Sequence, residues 1–173
     1  MKISEAMALI RNPTLEQNRT QSWYDLGCGS GTFTMALAES LVSGSTIGAV
    51  DMDAKALEAI PEEAHGVAIR KVHADLRSPG LRLPMVDGIL MANSLHFIKD
   101  KKQFLTKLLP LADCFLIVEY ERSKPTPWVP YPVRSENLQK LFKDLDVQQV
   151  EKLSTLRSRF GGTMYSALVR HSS

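Results

Sequence analysis

The stretch "YDLGCGSGTF", residues 24–33, puts three glycines into five positions, directly after the apolar run "QSWYDL" and before a helical pattern. Strand, glycines, helix is a nucleotide-binding arrangement: the backbone turns tightly and comes close to a ligand near a helix N-terminus. The dinucleotide fingerprint is G-x-G-x-x-G. Here Gly27, Gly29 and Gly31 run G-x-G-x-G, and Thr32 stands where the last fingerprint glycine belongs. That spacing makes a dehydrogenase the least favoured reading. Asp25 precedes the loop by two positions, and Asp51 ends the next apolar run 20 residues beyond Gly31. A carboxylate at that place can accept hydrogen bonds from both hydroxyls of a ribose.

The rest of the chain alternates strand-like and helix-like segments. A short N-terminal helix, within residues 1–20, is predicted with Ile3, Met7 and Ile10 on one face, stopping at Asn12-Pro13. Residues 32–42 read as a helix with Phe33, Leu37 and Leu41 inward, and Asp53 can cap a helix over 54–60. "TIGAVD", "GVAIRKVHAD", "VDGILMA" and "ADCFLIVEY" read as strands. Asp100 and Gln103 suit the start of a helix with Phe104, Leu105 and Leu108 inward. Leu138, Leu141, Phe142 and Leu145 form an amphipathic stripe, and strands are expected around 147–154 and 163–170. The Pro/Gly content of "LRSPGLRLPM", residues 76–85, argues against a helix there. The pattern predicts a single α/β domain over residues 1–173, Rossmann-like and doubly wound. Its mostly parallel seven-stranded sheet has an antiparallel last strand and helices on both faces.

Composition excludes other classes. A net charge of +2 does not suggest a dedicated nucleic-acid binder, so nucleic acid is an unlikely partner. Cys28 and Cys114 form no C-x-x-C and no Cys/His cluster, so neither a metal site nor a disulfide framework is expected. No apolar run approaches the ~20 residues of a membrane span, and a cytoplasmic setting is the expectation.

Three motifs in order then carry a resemblance. "DLGCGSGTF" resembles the first motif of class I S-adenosylmethionine-dependent methyltransferases, "AVDMD" their second, and "HADL" their adenine-contacting motif. "DGILMANSLHFIKD" resembles the stretch around their fourth strand, and the similarity spans residues 22–120. The resemblance implies S-adenosyl-L-methionine as cofactor. It sets Gly27, Gly29 and Gly31 against the methionine part and Asp25 near its amino group. It gives the ribose to Asp51, the adenine to Met52, Asp75 and Leu76, and the methionine end to Asn93. Structural readings stand beside these: Gly31 for close helix packing, Asp75 as a turn residue, Cys28 as a small filler. The chain departs from many relatives in two places. "LLPLAD" replaces a Gly-Gly turn, and "NSLH" replaces the Asn-Pro-Pro-aromatic motif that grips planar amino nitrogens.

In open parallel sheets, ligands bind beyond the carboxyl ends of the strands. That rule selects Asn93 to His96, Glu119 to Arg122 and the loop "TLRSRFGG". His96 is the first candidate general base and Glu119 the second. The alternatives are a histidine that merely ends its strand and a glutamate that anchors the loop or binds the cofactor's amino group. Trp128 and Tyr131, on the stiff loop "ERSKPTPWVPYPV", are candidates either for a wall of the acceptor pocket or for a cap on the core. Arg159 is a candidate grip for an anionic acceptor, whereas Arg157 reads as solvated. The leading expectation is a methyltransferase with a small-molecule acceptor. Methylation of RNA or protein, and a cofactor-binding subunit without catalysis, are the competing readings. A homodimer could close an open acceptor site.

Overall fold

The computed structural model describes residues 1–157 and 161–171. The elements follow in the order α1 (Ile3–Ile10), β1 (Ser22–Leu26), α2 (Thr32–Ser40), β2 (Thr46–Asp51), α3 (Ala54–Glu58), β3 (Glu63–Ala64) and β4 (Val67–His73). Then come β5 (Val86–Ala92), α4 (Lys101–Leu108), β6 (Ala112–Tyr120), α5 (Ser135–Lys143), β7 (Gln149–Arg157) and β8 (Thr163–Arg170).

Among the described residues the strands form one sheet in the order β3-β4-β2-β1-β5-β6-β8-β7. β4, β2, β1, β5 and β6 are parallel neighbours. β8 runs antiparallel between β6 and β7. The chain builds outward from β1 to β4, then returns to the other side of β1 to start β5. The switch point, where such sheets open a crevice, therefore lies between the carboxyl ends of β1 and β5.

The count is eight strands where seven were expected. The extra one is the two-residue β3, which folds back on β4. His65 and Gly66 have φ of 53° and 74°. Two successive positive φ values make the tight hairpin turn that turns the chain directly back on itself.

Helices cover both faces. α1, α2 and α3 contribute to one apolar cluster, with Ala6, Leu9, Leu37 and Leu57 among its members. α4 and α5 contribute to the other, with Leu105, Leu108, Leu138 and Phe142. The inward face of α1 differs from the expected stripe: Ala6, Leu9 and Ile10 are buried, while Ile3 is 40% exposed. α1 packs on α2 and the edge strand β7, which turns that face inward. The helix caps follow the sequence. Asp53 accepts the amides of Lys55 and Ala56, and Asp100 accepts that of Gln103 at 2.9 Å. Residues 76–85 form no regular element up to Met85. Leu109–Leu111 make a short 3-10 turn into β6, in place of the Gly-Gly turn.

No helix among the described residues is long and apolar enough to cross a membrane.

Candidate functional site

The glycine loop is fixed to the end of β2 by its own amides. Gly27 and Cys28 donate to the Val50 carbonyl at 2.8 and 3.1 Å, and Gly31 donates to the Cys28 carbonyl at 3.0 Å. Gly29 donates to Asp51 Oδ2 at 2.7 Å, and the second oxygen, Oδ1, accepts the Asp53 amide at 2.9 Å. The half-buried Asp51 carboxylate thus joins the loop to the start of α3.

The three glycines have φ of 78°, 53° and 89°, a left-handed backbone that side chains resist. Their surroundings differ. A Cβ on Gly27 would collide with Ser94 Cβ, and one on Gly31 would lie 2.7 Å from Ile60 Cγ1. Around Gly29 nothing stands within 4 Å of that position. Gly31 therefore serves close packing, whereas Gly29 faces open space.

Across the switch point, the turn after β5 is drawn toward β1. Ser94 Oγ donates to the Leu26 carbonyl at 2.6 Å. Asn93, with φ of 55°, donates its amide to Val118 at 2.8 Å, and its side-chain Nδ2 lies 3.7 Å from Met164 Sδ. Its Oδ1 is buried without a hydrogen-bond partner among the described residues.

Two clefts meet here. One, of about 210 Å³, is lined by Asp51, Met52, Asp75, Leu76 and Arg77. The other, of about 290 Å³, is lined by Cys28, Gly29, Phe33, Tyr120, Arg157 and Met164. Gly27 and Asn93 belong to both. A larger groove of about 740 Å³ adjoins the first cleft through Leu76, Arg77, Phe97 and Ile98, and Tyr131 lies on it.

Asp75 is clasped by Arg77, whose Nη2 and Nε reach it at 2.8 and 2.9 Å. Those hydrogen bonds hold the Asp75 carboxyl below the usual carboxylate range. Arg77 Nη2 also lies 3.7 Å from Met52 Sδ. The sequence reading missed Arg77, for which the acid–arginine spacing in "DLR" was the available signal; Ser94 lay in the selected stretch Asn93 to His96, but without a role of its own.

Other expected site residues lie elsewhere. Asp25 is fully buried and lines neither cleft; its Oδ2 accepts from Thr34 Oγ1 at 2.7 Å and its Oδ1 has no partner among the described residues. Burial pushes its carboxyl up to about 7, against the Thr34 hydrogen bond and with the Asp51 charge adding to the rise. Burial likewise pushes the Cys28 thiol well above its ordinary range, as suits a filler.

His96 and Glu119 are also buried, at 2% and 0% exposure, and stand off both clefts. Glu119 takes the His96 amide and ring, so both side chains are occupied with each other. Trp128 forms neither the expected wall nor the expected cap: it is 82% exposed. Its loop is held instead by paired hydrogen bonds between Thr126 and Val129 and by the Tyr131 amide, which donates to the His96 carbonyl at 3.0 Å. Arg159 lies outside the described residues. Among those described, no group of three or more His, Cys, Asp or Glu could hold a metal.

Residues 24–113 match the family model described as "Methyltransferase domain". Uncharacterized methyltransferases of Mycobacterium bovis and Mycobacterium tuberculosis are 32% identical to the chain over 89 residues. That match covers 51% of this chain and 44% of each relative, so the aligned part is less than half of their length. Among solved structures, the plantazolicin methyltransferase BpumL in complex with SAH superposes with a TM-score of 0.67 at 13% identity, covering 96% of this chain and 82% of that one. Magnesium protoporphyrin IX methyltransferase from Synechocystis PCC 6803 with bound SAM gives 0.65 at 19% identity, covering 97% and 77%. At such identities the likeness is one of fold. The family match spans more than half of the sequence and includes the glycine loop, Asp51, Asp75 and Asn93, and the chain belongs to the methyltransferase domain family.

Proposed function

We propose that this chain is an S-adenosylmethionine-dependent methyltransferase acting on a small-molecule acceptor. The observation that carries the reading is the junction of two clefts at Gly27 and Asn93, with the Asp51 carboxylate on one side of it.

The residues present fit the cofactor. Asp51 already accepts one amide on each oxygen, and each oxygen keeps a further lone pair for a ribose hydroxyl. Met52 and Leu76 would flank the adenine, and Asp75, steadied by Arg77, would accept from its amino group. The unpartnered Oδ1 of Asn93 and the open space at Gly29 suit the polar amino-acid tail. Gly31 and Asp25 would act from beneath, through Ile60 and Thr34.

When bound, S-adenosylmethionine supplies a methyl group on a sulfonium, and its loss leaves a neutral thioether. The protein's part is alignment, which is worth up to about 7–11 kcal/mol in well-oriented systems. His96 and Glu119, paired and buried, act as positioning residues for the turn after β5 and for the Tyr131 loop.

Support for a small-molecule acceptor comes from two structural neighbours, which carry plantazolicin and magnesium protoporphyrin IX in their names. The test is methyl transfer from labelled cofactor to metabolite, RNA and protein fractions offered together. Label in the metabolite fraction is expected. Label only in RNA or protein would overturn the acceptor class, and label in none would leave a binding subunit.

A further inference from the structure

Most amides of the glycine loop are already engaged. The amides of Gly27, Cys28, Gly29 and Gly31 are all consumed, three on backbone carbonyls and one on Asp51. A ligand with an amino-acid tail nevertheless brings a carboxylate into this region. Among the described residues that line the cleft at the glycine loop, Arg157 alone carries a cationic side chain. Arg157 ends β7, paired with Thr163 of β8, so a two-strand hairpin anchors its backbone. Its side chain is exposed, and no ion pair joins it to any described residue. Asn93 lines the same cleft, and its Oδ1 is a buried acceptor without a partner among the described residues. A guanidinium and an unsatisfied amide oxygen are complementary to the carboxylate and ammonium of one zwitterion.

We propose that Arg157 binds the α-carboxylate of the S-adenosylmethionine tail. The proposal rests on the cofactor reading above and adds to it the residue that recognises the tail. The competing groups are Glu5, a carboxylate on the same cleft, and the first amides of α2, where Thr32 lines it. An acceptor's own carboxylate is the other source of the same chemistry. The experiment separates these possibilities.

Calorimetry on the full chain compares S-adenosylhomocysteine, which has the tail, with 5′-methylthioadenosine, which lacks it. Arg157→Met keeps the aliphatic stem and removes the charge. It is expected to weaken S-adenosylhomocysteine about 10–100-fold, the usual effect of losing a charge-assisted pair, and to leave 5′-methylthioadenosine within about 2-fold. Arg157→Lys is expected to recover part of the loss, and Glu5→Gln to leave the tail-dependent difference in place. Equal effects on both ligands, or none on either, would overturn the assignment; the second result would pass the carboxylate to α2 and leave Arg157 to the acceptor. If the unmodified chain binds neither ligand, the cofactor reading itself fails. A thermal unfolding midpoint unchanged by Arg157→Met shows that the comparison is made on folded protein.

Discussion

Glu119 holds His96 at two points, accepting its backbone amide at 3.0 Å on one oxygen and its ring Nδ1–H at 2.7 Å on the other. His96 lies in the turn after β5 and Glu119 near the end of the neighbouring strand β6, so the bonds tie that turn to β6. The His96 carbonyl in turn receives the Tyr131 amide at 3.0 Å, and Lys101 Nζ donates to the Tyr131 carbonyl at 2.7 Å. One buried pair thus organises the turn after β5 and the loop after β6.

Removing one member leaves the other buried without its partner. Glu119→Ala is expected to destabilise the fold by about 2–4 kcal/mol, because it leaves two buried donors unsatisfied. Denaturant unfolding measures it. A loss under about 1 kcal/mol would show that the pair holds nothing in place.

Asp25 predicts a pH dependence. Its folded-state value of about 7 lies above the ordinary carboxylate range, because burial penalises the charged form. Such a group contributes stability that is fully present below its unfolded value, near 4, and is lost as pH rises through about 7. Asp25→Asn removes the titration and keeps an acceptor for Thr34. Its unfolding free energy, relative to the unmodified chain, is expected to rise by a few kcal/mol, on the order of 1.4 per pKa unit, between pH 4 and 8. A flat difference across that range would contradict the assignment.

Two glycines of one loop should respond differently to alanine. Gly27→Ala forces a Cβ onto Ser94 in addition to the left-handed backbone, and should cost more than the ~1–2 kcal/mol of the backbone alone. Gly29→Ala meets nothing within 4 Å, so it should cost only the backbone share and should weaken S-adenosylhomocysteine by placing a methyl in the cleft. Thermal melts and calorimetry on both variants check the contrast. Equal destabilisation would remove the distinction between packing and cleft-facing glycines.

The parts legible in the sequence were those set by spacing along one segment. The G-x-G-x-G run, the aspartate 20 residues on and the alternation of strand and helix predict the sheet, the strand ends that bear the site and the carboxylate at the loop. What stayed hidden depends on contacts between distant segments. The β3 strand is two residues long and exists only because of the His65-Gly66 turn. Ser94 matters because Leu26 offers it a carbonyl, 68 positions away. The composition of the Trp128 loop pointed to burial, but that loop is fixed by Thr126, Val129 and Tyr131 and leaves the indole in solvent. His96 has the chemistry of a base at the right strand end, yet a carboxylate from the neighbouring strand keeps it inside.

The central claim is that Asp51, tied to Gly29 at 2.7 Å, is the ribose acceptor of the cofactor cleft. Titration of S-adenosylhomocysteine into the unmodified chain and into Asp51→Asn, by calorimetry on protein of matched thermal stability, tests it most directly. One saturable site, weakened about 10–100-fold by the substitution, is the predicted result for two hydrogen bonds to a charged acceptor. Equal affinity in the two proteins, or no binding to either, would contradict it.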